Sequence, residues 1–150
     1  MTRFVENEEI IGHYKSEGLY DSILNGLKQS GVDLDNISTD QLSAADEFHI
    51  GGTEATTFVC DKLGLVSQGK VLDIGCGIGG PARFVANRLA CTVTGVDLTP
   101  SFVETGNLLT DLVDFQKIVN LVEGDASAMA ISDEEFDAAY MIHVGMNISD

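Results

Sequence analysis

Three aspartates and a crowd of glycines stand where a chain could grip a ligand. The segment VLDIGCGIGGPAR, Val71–Arg83, holds Gly75, Gly77, Gly79 and Gly80 between an apolar run and a proline. Asp73 lies inside that apolar run, Asp97 closes a β-branched run further on, and Asp125 closes a third. Gly75, Gly77 and Gly79 let the backbone turn sharply and let a ligand touch it. The helix expected after them offers free N–H groups. Gly75, Gly77 and Gly80 also read G-x-G-x-x-G, a spacing shared by dinucleotide sites and ordinary tight turns.

The carboxylates narrow the chemistry. Asp97 is placed to accept hydrogen bonds from ribose hydroxyls. Asp125 could accept from an adenine amino group. Asp73 discriminates between ligands, because a buried carboxylate is costly unless it is paired. It would repel a pyrophosphate and attract a cationic amino-acid end. S-Adenosylmethionine carries an ammonium and a sulfonium and no phosphate, so it is the expected cofactor. A nicotinamide-dinucleotide domain is the competing reading of the glycines alone.

These residues need strand ends and helix starts to hold them. Val71–Ile74 is a short, nearly continuous apolar run, as in a strand buried on both faces. Pro81 suits the first position of a helix, and Ala82, Val85, Ala86 and Leu89 follow at helical spacing. Thr92–Val96 is a second strand ending at Asp97. Thr99-Pro100 opens a helix carrying Phe102, Gly106, Leu109 and Val113 on one face. Ile118–Val122 is a third strand and Phe136–Ile142 a fourth. Strand and helix thus alternate from Lys70, which implies a parallel sheet with right-handed crossovers. Before it, Leu19, Tyr20, Ile23, Leu24 and Leu27 mark a helix that Gly31 stops. A loop around Asn36–Thr39 follows. Thr53 is the expected cap of a helix carrying Ala55, Phe58, Val59 and Leu63. Residues 1–52 read as a helical cap and 53–150 as the ligand-binding part of one compact unit.

Composition excludes several roles. A net charge of −16 over 150 residues argues against nucleic acid and against anionic membranes. Cys60, Cys76 and Cys91 are an odd number without close pairing and read as reduced thiols, with no zinc site. No apolar run approaches membrane-spanning length, and MTRFVENEEI lacks the apolar region of a secretory leader, so the cytoplasm is the expected location.

VLDIGCGIGG, GVDLT (Gly95–Thr99), EGDASAM (Glu123–Met129) and FDAAYMIHV (Phe136–Val144) together resemble the successive motifs of class I S-adenosylmethionine-dependent methyltransferases. The resemblance implies an α/β Rossmann-like sheet, here with strands ordered 3-2-1-4 behind N-terminal helices. It implies that Asp73 holds the methionine ammonium, that Gly75, Gly77 and Gly79 line the methionine moiety, and that Asp97 binds the ribose. Leu98 would pack on adenine, Asp125 and Ala126 would meet its edge, and Met141–His143 would pass near the sulfonium. DEFHIGG (Asp46–Gly52) and HVGMNI are similar to segments of small-molecule methyltransferases, including amine methyltransferases, so a small molecule, an amine among them, is the expected acceptor.

The family sheet has seven strands ordered 3-2-1-4-5-7-6, and four are read here. A cofactor-binding half, with little or no turnover of its own, is therefore expected, and a non-catalytic remnant is the alternative. The apolar fourth strand would be an edge, a template for pairing, so a homo-oligomer through residues 136–150 is expected. Methyl transfer from a sulfonium needs alignment and exclusion of water; an alcohol or carbon nucleophile also needs a base. His143 is the candidate base, with a hydrogen-bonded shell position as the competing reading. His49 and His13 could close over the site or lie on the surface.

Overall fold

The computed structural model describes residues 18–46, 51–65, 68–129 and 135–142. Helix α1 (Leu19–Gln29) buries Ile23 and Leu27, one turn apart, with Asp21 in its first turn and Lys28 in its last, both complementing the helix dipole. A 3-10 turn, Leu34–Asn36, starts at Asp33, whose side chain accepts from the Asp35 N–H.

Helix α2 (Thr39–Asp46) follows the expected loop around Asn36–Thr39, in a stretch read only as part of a helical cap. Its cause is a capping box. Ser38 Oγ accepts from the Gln41 N–H at 3.2 Å, and Gln41 Oε1 accepts from the Ser38 N–H at 3.0 Å. Ile37 and Leu42, both buried, flank that cap as a hydrophobic staple.

Helix α3 (Gly52–Leu63) begins ahead of the expected cap, Thr53. Gly51, at φ 94°, turns the chain in from the left-handed region, and its carbonyl accepts from the Glu54 and Ala55 N–H groups. Thr53 is thereby drawn inside the first turn.

From Lys70 the chain alternates as expected: β1 (Lys70–Ile74), α4 (Gly80–Leu89), β2 (Thr92–Asp97), α5 (Pro100–Leu112), β3 (Val119–Glu123) and β4 (Ala138–Met141). The four strands form one parallel sheet in the order β3-β2-β1-β4. This is the expected order of a Rossmann-like sheet. β4 is shorter than the apolar run Phe136–Ile142 because Asp137 turns to the neighbouring strand, its carboxylate accepting from the Lys70 N–H at 2.7 Å.

Two connected cores hold the helices on the sheet. Val71, Val93, Val119, Leu121 and Tyr140 of the sheet meet Cys60 of α3 and Ala82, Val85 and Ala86 of α4. Ile23 and Leu27 of α1 and Leu42 of α2 meet Ile78 of the glycine loop and Leu109 of α5. The N-terminal helices therefore share a core with the glycine loop. On β3 and β4 the alternate positions Asn120, Val122, Ala139 and Met141 are exposed. β4 is an edge of the described sheet; residues 143–150, the rest of the expected pairing surface, lie outside the described residues.

Candidate functional site

The carboxyl ends of β1, β2 and β3 are laced together by hydrogen bonds. The Gly75 and Cys76 N–H groups both donate to the Val96 carbonyl, at 2.8 and 3.1 Å. The Gly77 N–H donates to Asp97 Oδ2 at 2.9 Å, and the Thr99 N–H to Asp97 Oδ1 at 2.9 Å. The Gly124 N–H donates to the Asp97 carbonyl at 2.9 Å. Asp97 therefore fixes the glycine loop, the start of α5 and the end of β3 at once. It remains half-buried, and each carboxylate oxygen keeps a lone pair beyond the bond it accepts.

The glycines divide by task. Gly77 has φ +55°, and a Cβ built on it meets nothing within 4 Å, so that backbone faces open space at the strand ends. Gly80 is the opposite: a Cβ there would stand 2.5 Å from the Asp46 carbonyl oxygen. One glycine keeps a ligand surface bare, and the other lets α2 pack on the loop.

Asp73 is buried, at 2 % exposure, on β1. Its register partner on β4 is Tyr140, whose hydroxyl donates to Asp73 Oδ2 at 2.8 Å. Burial pushes the Asp73 carboxyl up to about 7; the Tyr140 hydrogen bond pulls the other way, and the charge of Asp97 adds to the rise. Among the described residues no cationic side chain pairs with it. The sequence argument treated Asp73 as a fixed charge; in the structure it is a carboxyl poised to titrate near neutrality. Burial also raises the Tyr140 and Cys76 hydroxyl and thiol well above their usual ranges. Cys76 is buried in the loop.

Asp125 and Ala126 are half-buried just beyond β3. Asp125 Oδ1 accepts from the Ser127 N–H at 2.8 Å, which closes a turn and holds the carboxylate at the strand end. Leu98 is half-buried just beyond β2, and Met141 is exposed at the end of β4. The structure thus gathers Asp73, Gly75, Gly77, Gly79, Asp97 and Leu98 around the loop, with Asp125 and Ala126 one strand away. His143, His49 and His13 lie outside the described residues.

Sequence reasoning missed two supports. Tyr140 was counted only as part of an apolar edge. Arg83, nearly fully buried, was not singled out at all. Its Nη2 donates to Asp46 Oδ2 at 2.6 Å and to the Ile78 carbonyl at 2.8 Å; its Nη1 donates to the Gly106 carbonyl at 3.0 Å and to Thr110 Oγ1 at 2.9 Å. One guanidinium thereby ties α2, the glycine loop, α4 and α5 together.

The donor set fits an adenosyl ligand with an amino-acid end. Gly77 leaves a bare backbone, Asp97 offers acceptors beside it, and Asp73 supplies a carboxyl that no described cationic side chain meets. No group of His, Cys, Asp and Glu side chains among the described residues could hold a metal ion. No helix among them is long and apolar enough to cross a membrane.

Comparison with known proteins agrees with this geometry. The sequence model of the family described as "Methyltransferase domain" matches residues 72–150. The sterol 24-C-methyltransferase of Yarrowia lipolytica is 36% identical over 85 residues, 57% of this chain and 22% of the relative. The cycloartenol-C-24-methyltransferase of Arabidopsis thaliana is 36% identical over 93 residues, 62% of this chain and 28% of the relative. The match thus spans about a quarter of the length of these curated relatives. Among solved structures, the S-adenosylmethionine-dependent methyltransferase of Thiobacillus denitrificans, in complex with S-adenosyl-L-homocysteine, superposes with a TM-score of 0.60 at 25% identity, covering 72% of this chain and 44% of that one.

Proposed function

We propose, from the premise that this chain belongs to the methyltransferase-domain family, that it is the cofactor-binding part of a class I S-adenosylmethionine-dependent methyltransferase acting on a small molecule. The observation that carries the reading is the Gly77–Asp97 pair: a bare left-handed glycine whose N–H is held by the carboxylate that ends β2. When bound, the cofactor would supply a methyl group on a sulfonium, taken in line by an acceptor as the C–S bond breaks and the neutral thioether leaves. The chain's own residues bind and orient. Gly75, Gly77 and Gly79 present backbone along the methionine moiety. Asp97 accepts from the ribose hydroxyls, and Leu98 covers an adenine face. Asp125 and Ala126 meet the adenine edge. Asp73 meets the ammonium. Oriented contacts of this kind lower the barrier by holding the reacting atoms in line.

The acceptor follows the curated relatives first. Their names specify sterol and cycloartenol C-24 methylation, so a sterol-type lipid is the acceptor class favoured here over the amine suggested by the DEFHIGG resemblance. A carbon acceptor also has a proton to lose, the role for which His143 is proposed.

Calorimetric titration tests the reading. Adenosylhomocysteine is expected to bind and NADH is not. Asp97→Ala should weaken adenosylhomocysteine by roughly ten- to hundredfold, the loss of hydrogen bonds to a charged acceptor worth about 1.5–3 kcal/mol. NADH binding tighter than adenosylhomocysteine would overturn the assignment. Full affinity in the Asp97 variant would remove that residue from the ribose.

A further inference from the structure

Asp73 is an unusual carboxyl. It is buried on β1, and among the described residues the Tyr140 hydroxyl alone donates to it, at 2.8 Å. That hydroxyl is itself buried on β4, in register across the sheet. Among the described residues, the other groups facing the carboxyl do not neutralise it. Asp97 on β2 opposes its ionisation, and the Cys76 thiol of the loop stays protonated beside it. Arg83 on α4 acts on Cys76, but its Nη1 and Nη2 donors are engaged with Asp46, Ile78, Gly106 and Thr110. A carboxyl in this setting holds its proton to higher pH than an ordinary one, and a cation placed beside it favours its release.

We propose that Tyr140 is a positioning residue that holds Asp73 for the ligand's ammonium, and that binding at this site is coupled to release of the Asp73 proton. The proposal rests on the reading that Asp73 meets the amino-acid end of an adenosyl ligand. Its chemistry is one proton transfer. The ammonium enters, Asp73 gives its proton to solvent, and the new carboxylate is held by the Tyr140 hydroxyl on one side and the ammonium on the other. Only ligands with the amino-acid end should cause it. In the free chain the carboxyl titrates at about 7, so about a tenth of molecules carry it ionised at pH 6 and about nine tenths at pH 8.

Titration calorimetry with adenosylhomocysteine and with 5′-methylthioadenosine, which lacks the amino-acid end, decides the matter. The two are compared from pH 6 to pH 8 in buffers of different ionisation enthalpy, so that released protons are counted. Adenosylhomocysteine should bind about tenfold more weakly at pH 6 than at pH 8 and release close to one proton at pH 6. Methylthioadenosine should show a flat profile and release none. Tyr140→Phe removes the bond that favours the ionised form, so the adenosylhomocysteine midpoint should move up by about one pH unit while methylthioadenosine is unaffected. A flat adenosylhomocysteine profile without proton release overturns the coupling and leaves the adenosyl site standing. Binding of neither ligand at any pH overturns the site reading itself. An unshifted midpoint in a folded Tyr140→Phe removes the positioning role; if that variant does not fold, the proton count on the unaltered chain still decides the coupling.

Discussion

Asp46 and Asp73 are both aspartates buried to within a few per cent of full enclosure, and they are treated in opposite ways. Asp46 meets the guanidinium of Arg83 at 2.6 Å, a full charge against a full charge. Asp73 meets a phenol and faces another carboxylate. The first pair joins a helix to a loop in close packing, where a Cβ on Gly80 would strike Asp46. The second lies beside a glycine loop that leaves backbone bare. A carboxyl that no described cation meets, at the end of a sheet where ligands bind, marks where a cation is to come. A carboxylate matched by arginine marks structure.

The largest effect should come from breaking the matched pair. Arg83→Met removes the guanidinium that Asp46 meets and the donor to the Ile78 carbonyl. Breaking a buried pair in this way costs about 3–5 kcal/mol, enough to unfold a marginal domain. Urea denaturation should show the loss, and Asp46→Asn in the same chain should recover part of it. An Arg83→Met protein as stable as the parent would mean that the pair does not hold α2 to the loop.

Asp73 should behave with the sign opposite to an ordinary carboxylate. Unfolded, it titrates near 4; folded, at about 7. Between those values the folded chain keeps a proton that the unfolded chain has lost. This group's contribution to stability is therefore complete below about pH 4 and falls as pH rises to about 7, by on the order of 4 kcal/mol. Asp73→Asn cannot ionise and should be spared that fall. Its melting temperature should exceed the parent's at pH 8, with the gap closing toward pH 5. A gap independent of pH would show that Asp73 is already ionised in the free chain.

The smallest effects separate the two glycines. Gly77→Ala strains only its left-handed backbone, about 1–2 kcal/mol, but fills the ligand surface. It should leave a folded chain with weakened adenosylhomocysteine binding. Gly80→Ala pushes α2 off the loop and should cost stability instead. Melting curves and calorimetry on both variants separate the two tasks; equal behaviour would erase the distinction.

What the sequence disclosed follows the same division. The glycine loop, β1, β2 and their acidic ends were legible because apolar runs, glycines and a terminal aspartate lie within a few residues of one another. The order β3-β2-β1-β4 came through the family resemblance. α2 lay within the stretch read as a helical cap, but its own bounds went unread although their signal is local: Ser38 and Gln41 form the capping box, and Ile37 and Leu42 the staple. The two buried pairs were not legible. Tyr140 reaches Asp73 across 67 residues and Arg83 reaches Asp46 across 37. Only strand register and helix docking bring those partners together, and neither is written in local spacing. Asp73 itself was found, but its protonation was not, because the charge of a carboxyl depends on burial and on a neighbour supplied by another strand.

The carboxyl group of Asp73 can be followed directly. Carbon-13 chemical shifts of the aspartate side chains, recorded against pH with and without adenosylhomocysteine, read its titration residue by residue, with Asp73→Asn supplying the assignment. The expected result is a midpoint at about 7 in the free chain that falls well below it when the ligand is bound. A midpoint near 4 in the free chain, or one that the ligand does not move, would contradict the assignment of Asp73 to the ligand's cationic end.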